Sequence, residues 1–150
     1  MDEMIRKKIM TLLDQHRNMT VATLRPDGWP QATTVGYAND GLTLYFLCGP
    51  DSQKAENLAR DDRVSLTIDH DTPQVMEITG LSMAAHAQVV TDPEEGEKAL
   101  RLLMQKYPVQ DSLPLPMPTP EDVRIFRVTP TVISVLDYSK GFGHTDLVTC

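Results

Sequence analysis

The sequence predicts a mainly-β domain with flanking helices, arranged as a small antiparallel barrel. Short β-branched runs with an apolar period of two recur along the chain, each closed by turn residues. Three other stretches space their apolar residues helically. At 150 residues the chain is one domain by length, and such a domain buries roughly 68–70% of its unfolded surface without needing disulfides. Many short strands closed by a few helices are the pattern of a small barrel.

A first helix begins near Asp2, with Ile5, Ile9, Leu12 and Leu13 on its apolar face. Arg6-Lys7-Lys8 then reads as the solvated side of that helix. Residues 19–25 and 31–38 are β-branched runs separated by Pro26-Asp27-Gly28-Trp29-Pro30, whose turn chemistry makes them a hairpin. Asn39-Asp40-Gly41 turns the chain into a third strand at 42–48, where Leu42, Leu44, Phe46 and Cys48 alternate with Thr43, Tyr45 and Leu47. Gly49-Pro50-Asp51 cannot extend that strand without strain or a lost donor. Ser52 then stands as the N-cap of a short helix carrying Ala55, Leu58 and Ala59.

Residues 63–69 read as the next strand, and His70-Asp71-Thr72-Pro73 turns the chain again. The run from 75 to 90 reads as one long curving strand, kinked or bulged at Gly80. Thr91-Asp92-Pro93-Glu94-Glu95 announces a helix through a cap, a proline in the first turn and acids at the positive end of the dipole. Leu100, Leu103, Met104 and Tyr107 continue it at helical spacing. Five prolines between 108 and 120 exclude helix and central strand, so that segment reads as an extended ordered loop. Two strands, 123–128 and 131–137, follow it, and the chain shows no internal repeats.

The formal net charge is -7, and with one basic cluster the chain has no stripe on which to bind nucleic acid. The cysteines, Cys48 and Cys150, form neither a zinc spacing nor a disulfide framework, which points to a reducing, cytoplasmic setting. The charged opening has no signal-peptide core, and no run approaches the roughly 20 apolar residues of a membrane span.

Chemistry concentrates between residues 42 and 68. A helix start presents unpaired N–H groups and the positive end of the dipole, so the Ser52 hydroxyl and the Lys54 ammonium would complete a phosphate cradle beside a strand able to line a ring pocket. On local pattern alone the same residues read equally as a plain strand–helix–strand connection with a surface lysine. Asp69, His70 and Asp71 are adjacent in one turn, which is poor ligand geometry; a solvated turn and no metal are expected. The tail, Asp137-Tyr138-Ser139-Lys140-Gly141-Phe142-Gly143-His144, reads either as a frayed terminus or as a loop that closes over a planar ligand through Phe142 and Lys140.

The quartet Tyr45-Phe46-Leu47-Cys48, followed by Ser52-Gln53-Lys54, Asn57-Leu58 and Arg63-Val64-Ser65-Leu66, resembles the signature of the FMN-binding split-barrel family, which includes the pyridoxamine 5'-phosphate oxidases and their smaller relatives. The resemblance runs in order from about residue 20 to 137. It implies a six- or seven-stranded antiparallel split β-barrel working as a homodimer, with FMN at the subunit interface. By the same resemblance Ser52 and Lys54 match the phosphate-holding positions, and Gln53 stands where the oxidases often have arginine. Thr33, Thr34 and Val35 match the strand beside the flavin ring, although β-propensity accounts for them equally. Leu47 and Cys48 match positions near the ribityl chain. No arginine occurs near Ala32 or Thr33, where the oxidase branch often has one for the phosphate.

No acid–base pair or nucleophilic triad stands out, and no catalytic residue is named. That is consistent with flavin chemistry, in which the ring accepts the hydride and the protein positions it. The oxidase branch's C-terminal tryptophan and arginine are absent after Thr131, so pyridoxamine-phosphate oxidation is not expected and the chain is more similar to the general-stress-protein-like branch. The resemblance implies an oxidoreductase using FMN on an unidentified small substrate or with an electron donor such as NAD(P)H. Three alternatives stay open: a deazaflavin coenzyme in the same groove, haem binding or breakdown resting on His86, His144 and Gly141-Phe142-Gly143, and a flavin-binding stress module without turnover.

Overall fold

A computed structural model of the chain describes residues 1–107 and 121–150. The expected extended segment between Pro108 and Pro120 lies outside the described residues. Helix α1 (Glu3–Gln15) opens on Asp2, whose carboxylate accepts from the Met4 and Ile5 N–H groups at 2.8 and 3.2 Å. There follow β1 (Asn18–Leu24), β2 (Pro30–Gly36), β3 (Ala38–Asp40), β4 (Thr43–Cys48), α2 (Gln53–Arg60), β5 (Arg63–Asp69), β6 (Thr79–Val89), α3 (Pro93–Lys106), β7 (Arg124–Asp137) and β8 (Thr145–Thr149).

All eight strands join one antiparallel sheet. Seven follow the path β2-β1-β5-β6-β7-β4-β3, and β8 pairs with β7 off that path. The sheet curls until β2 and β4 lie close without pairing, which leaves a seam between them. Alternating residues fill the interior; along β5, Val64, Leu66 and Ile68 are buried while Arg63, Ser65, Thr67 and Asp69 are exposed. α1 plugs the barrel with Ile9, Leu12 and Leu13. Phe46 and Phe126, directly opposite on β4 and β7, stack at 5.3 Å. On the outer face Tyr45 and Ile125 meet Ala99 of α3. Glu95 ties that helix down, accepting from the Tyr45 hydroxyl at 2.8 Å and from Arg127 at 2.7 Å.

Besides the run 31–38, which breaks at Tyr37 so that Asn39 and Asp40 lie in β3 and not in a turn, four expectations change. The run from 75 is not strand throughout: Val75–Glu77 forms a 3-10 turn with Val75 and Met76 exposed, and β6 starts at Thr79. No bulge lies at Gly80, which pairs in register with Asp69 and Leu136. Glycine is needed there because a Cβ would sit 2.6 Å from the Ile68 carbonyl oxygen. The irregularity lies further on: Ala84 pairs Val132 while Ala85 pairs Pro130, leaving Thr131 as the extra residue. Pro130 has no N–H to give the ladder, and the bulge lets a proline sit inside what is one strand, not the two expected at 123–128 and 131–137. The Thr131 hydroxyl recovers a bond there, donating to the Ala84 carbonyl at 3.1 Å.

The fourth change concerns the tail, which is not frayed. Asp137, bonded to Lys8 and to the Ser139 hydroxyl and N–H, starts a turn that leads into β8, where Val148 is buried. The Lys8 bond, then those from Ser139, hold the Asp137 carboxyl at about 2.

One corner makes stability depend on pH. Lys106, the last residue of α3, donates to the Leu13 carbonyl at 2.7 Å and lies 3.8 Å over the Tyr37 ring centroid. The buried Tyr37 hydroxyl donates to the same carbonyl at 2.7 Å. Burial pulls the Lys106 ammonium down to about 8, against the pull of Asp14 and with help from Arg17. The hydroxyls of Tyr37 and Tyr107 are raised by burial and keep their protons in this range. An unfolded lysine holds its proton to about pH 10.4, so between about 8 and 10 the unfolded chain binds more protons and stability rises with pH. Discounted for partial exposure, the rise is about 1–2 kcal/mol. Denaturant titrations across this range should show it in the native chain and not in Lys106→Met; equal slopes for both would remove the assignment.

Candidate functional site

The start of α2 has what the sequence requires of a phosphate cradle. The strand before it ends at Cys48, the Ser52 N–H bonds back to the Gly49 carbonyl at 3.1 Å, and the Ser52 hydroxyl accepts from Ala55 N–H at 3.1 Å. That cap satisfies the third N–H of the helix and leaves those of Gln53 and Lys54 without an acceptor among the described residues. The Lys54 ammonium makes no hydrogen bond or ion pair with them either. Two open N–H groups, a helix dipole and an uncommitted cation fit a phosphate.

The Gln53 side chain, by contrast, is occupied. Its amide donates to Asn57 Oδ1 at 2.9 Å, so a ligand at this point would meet the Gln53 backbone and not its side chain. Asn57, fully buried, donates in turn to the Thr23 hydroxyl at 3.0 Å and to Gln31 Oε1 at 3.4 Å. The network therefore reaches from the cradle across β1 to β2.

On β2, Thr33 lies opposite the buried Val21 and faces inward, Thr34 opposite Thr20 faces out, and Val35 packs against the core. The Thr33 hydroxyl is sealed from solvent with no hydrogen-bond partner among the described residues. Among the described residues β2 is paired only with β1, so its other edge, toward β4, offers backbone groups to a planar polar ligand. On β4, Leu47 packs on the α3 side and Cys48 against the main core, since successive side chains point to opposite faces. The eight residues expected at the site thus gather around the seam and the α2 start, but Thr34 and Leu47 leave its inner face.

Other candidates separate. Cys48 pairs with Arg124 at one end of β7, while residues 138–144 follow its other end, roughly 40 Å away along the strand. Phe142, 79% exposed and edge-on to Tyr138, follows the end of β7 opposite to the one that pairs with Cys48. His86 lies opposite Thr129 and bonds Asp62 at 2.7 Å; His144 accepts at its carbonyl from Asp137 N–H. Eight residues of strand, with the Thr131 bulge among them, separate those two places on β7. Asp69, His70 and Asp71 are exposed, and among the described residues no group of three or more metal-ligating side chains converges.

A cavity of about 450 Å³ lies on the face of α2 turned toward β6 and β7, with Leu58, Val89 and Phe126 among its apolar walls and Glu56, Asp62, Gln88 and Arg124 as its polar ones. Pro50 and Ala55 carry its rim up to the start of α2. Sequence reasoning assigned no role to Thr23, Gln31 or Asn57. The signals were Asn57-Leu58 in the family resemblance and the Gln53–Asn57 spacing of four, which puts two amides on one helix face.

Residues 5–137 match the family described as pyridoxamine 5'-phosphate oxidase. The chain belongs to that family. Among members and neighbours of the pyridoxamine 5'-phosphate oxidase family, General stress protein 26 of Bacillus subtilis (strain 168) is 28% identical over 67 residues, 45% of this chain and 47% of that protein. The matched stretch thus spans about half of the relative. A conserved hypothetical protein of Mycobacterium tuberculosis superimposes with a TM-score of 0.77 at 28% identity, over 97% of this chain and 91% of that one. A heme binding protein of Mycobacterium smegmatis gives a TM-score of 0.73 at 20% identity, over 96% of this chain and 57% of that one, a likeness of fold. Together these support the split-barrel fold, and among the described residues no helix is long and apolar enough to cross a membrane.

Proposed function

We propose that this chain binds FMN at the α2 start and along the β2–β4 seam, and acts as an oxidoreductase on a small substrate. The carrying observation is the uncommitted Lys54 beside the open N–H groups of Gln53 and Lys54, next to a strand with a free edge. When bound, FMN supplies the redox chemistry, accepting a hydride or passing electrons. The residues of the chain do the rest. Lys54 and the helix N–H groups hold the phosphate, Ser52 keeps the helix start open, and β2 offers backbone hydrogen bonds to the polar edge of the ring. A homodimer is part of the proposal, each subunit walling the seam of the other, with reduction by a donor such as NAD(P)H.

In the haem reading His86 and His144 would act from separate places on β7. A deazaflavin coenzyme would use the same cradle, and its absorption differs from that of FMN. The test is to record the absorption spectrum of the freshly purified protein and to titrate it with FMN and riboflavin. FMN should bind at least about tenfold more tightly, because charge-assisted hydrogen bonds to the phosphate contribute roughly 1.5–3 kcal/mol. Equal affinities, or the spectrum of haem or deazaflavin, would overturn the reading.

A further inference from the structure

Asn57 sits where an apolar residue would serve packing alone. It is fully buried, between Ala55 and Leu58, which dock α2 on the barrel. A buried amide is unfavourable unless paired, and this one is paired in three directions. Oδ1 accepts from Gln53, four residues earlier at the first position of the helix. Nδ2 donates to Thr23 on β1 and to Gln31 on β2. The apolar contacts of an eight-residue helix are non-directional and leave it free to slide or rotate on the sheet. Hydrogen bonds to two strands do not.

The two halves of the site lie on different elements. The cradle belongs to α2, the ring-facing edge belongs to β2, and the chain between them runs through β3, β4 and the turn at Gly49. A ligand that carries a phosphate on a flexible arm gains from both only if their separation is fixed, since each anchor then raises the effective concentration of the other. Among the described residues, Asn57 is bonded at once to the first residue of the cradle helix and to β2. We infer that Asn57 is a positioning residue: it sets the α2 start at a fixed distance and angle from β2, so that phosphate and ring are bound together. The inference rests on the cofactor reading above and adds a residue that touches no cofactor.

A role in registration has a signature that a role in packing lacks. In Asn57→Leu, which keeps the side-chain heavy-atom count and the branch at Cγ, FMN affinity falls about tenfold while riboflavin affinity changes less than twofold, because riboflavin uses one anchor only. In that background Lys54→Ala costs FMN affinity several-fold less than it does alone, because the cradle is already out of place. Gln53→Ala, on the exposed side of the link and safe for folding, lowers the ratio of FMN to riboflavin affinity about threefold. Parallel losses for FMN and riboflavin, an unchanged ratio in either single variant, or full additivity with Lys54→Ala would overturn the inference. If Asn57→Leu does not fold, Gln53→Ala alone decides. A native chain that binds FMN and riboflavin equally overturns the cofactor reading itself, an outcome distinct from a native preference that the variants leave intact.

Discussion

Replacing Lys54 with alanine is expected to weaken FMN binding by about one to two orders of magnitude and leave riboflavin binding unchanged. The loss is that large because the polar side chains flanking Lys54 on α2 and at the start of β5 are committed elsewhere. The Gln53 side chain is bonded to Asn57, Arg60 is spent on the Leu24 carbonyl at 2.6 Å, and Arg63 is paired with Asp61 at 2.7 Å. In a chain of net charge -7, with Asp51 and Glu56 on either side, the phosphate would depend mainly on the Lys54 ammonium and the open N–H groups, with Arg124, opposite Cys48, as the next cation. Lys54→Arg should recover most of the affinity, since the charge is kept. Calorimetric titration of both ligands into both proteins checks it; equal losses for FMN and riboflavin, or none for either, would return Lys54 to the solvated surface.

The largest effect on stability is expected from Phe46→Ala, about 3–5 kcal/mol. Phe46 is 0% exposed, and its ring stacks on Phe126 across the β4–β7 pairing. Truncation removes the buried area and leaves a cavity between two strands that the ladder holds apart, so little collapse can fill it. Phe46→Leu should lose less than half as much. Denaturant unfolding measures both, and a Phe46→Ala loss under about 1.5 kcal/mol would mean that the barrel interior relaxes freely.

The strands with strict alternation, such as 63–69, were legible because burial on one face imposes a period of two on the residues themselves. So were the three helices among the described residues, α1 by its apolar spacing and the other two by the caps Ser52 and Asp92. Pro130 misled for a physical reason. Proline breaks a ladder in isolation, and only the neighbouring strand shows that a bulge absorbs it. Gly80 misled similarly, since a glycine that makes room for the Ile68 carbonyl cannot be told from one that bends a strand. β8 was missed because it buries only Val148 and follows a glycine-rich turn; its order comes from β7.

The Ser52 cap at the α2 start could be read from the chain because capping is local. The pairing of Asn57 with Thr23 and Gln31 could not, because it joins residues 26 to 34 positions apart. The same distance hid the separation of the tail from the cradle, which depends on the direction of one long strand.

Tyr37 alone connects β2, at one end of the sheet path, to β3, at the other. The closure that makes a barrel out of a sheet therefore spans one residue, and its loop entropy is close to the smallest a chain can have. The expensive closures lie elsewhere, as where Phe46 must find Phe126. Folding rates fall as contacting residues grow more distant in sequence. The seam can thus form early, beside its own hairpin, while the arrival of β7 between β6 and β4 sets the pace at which the chain becomes native.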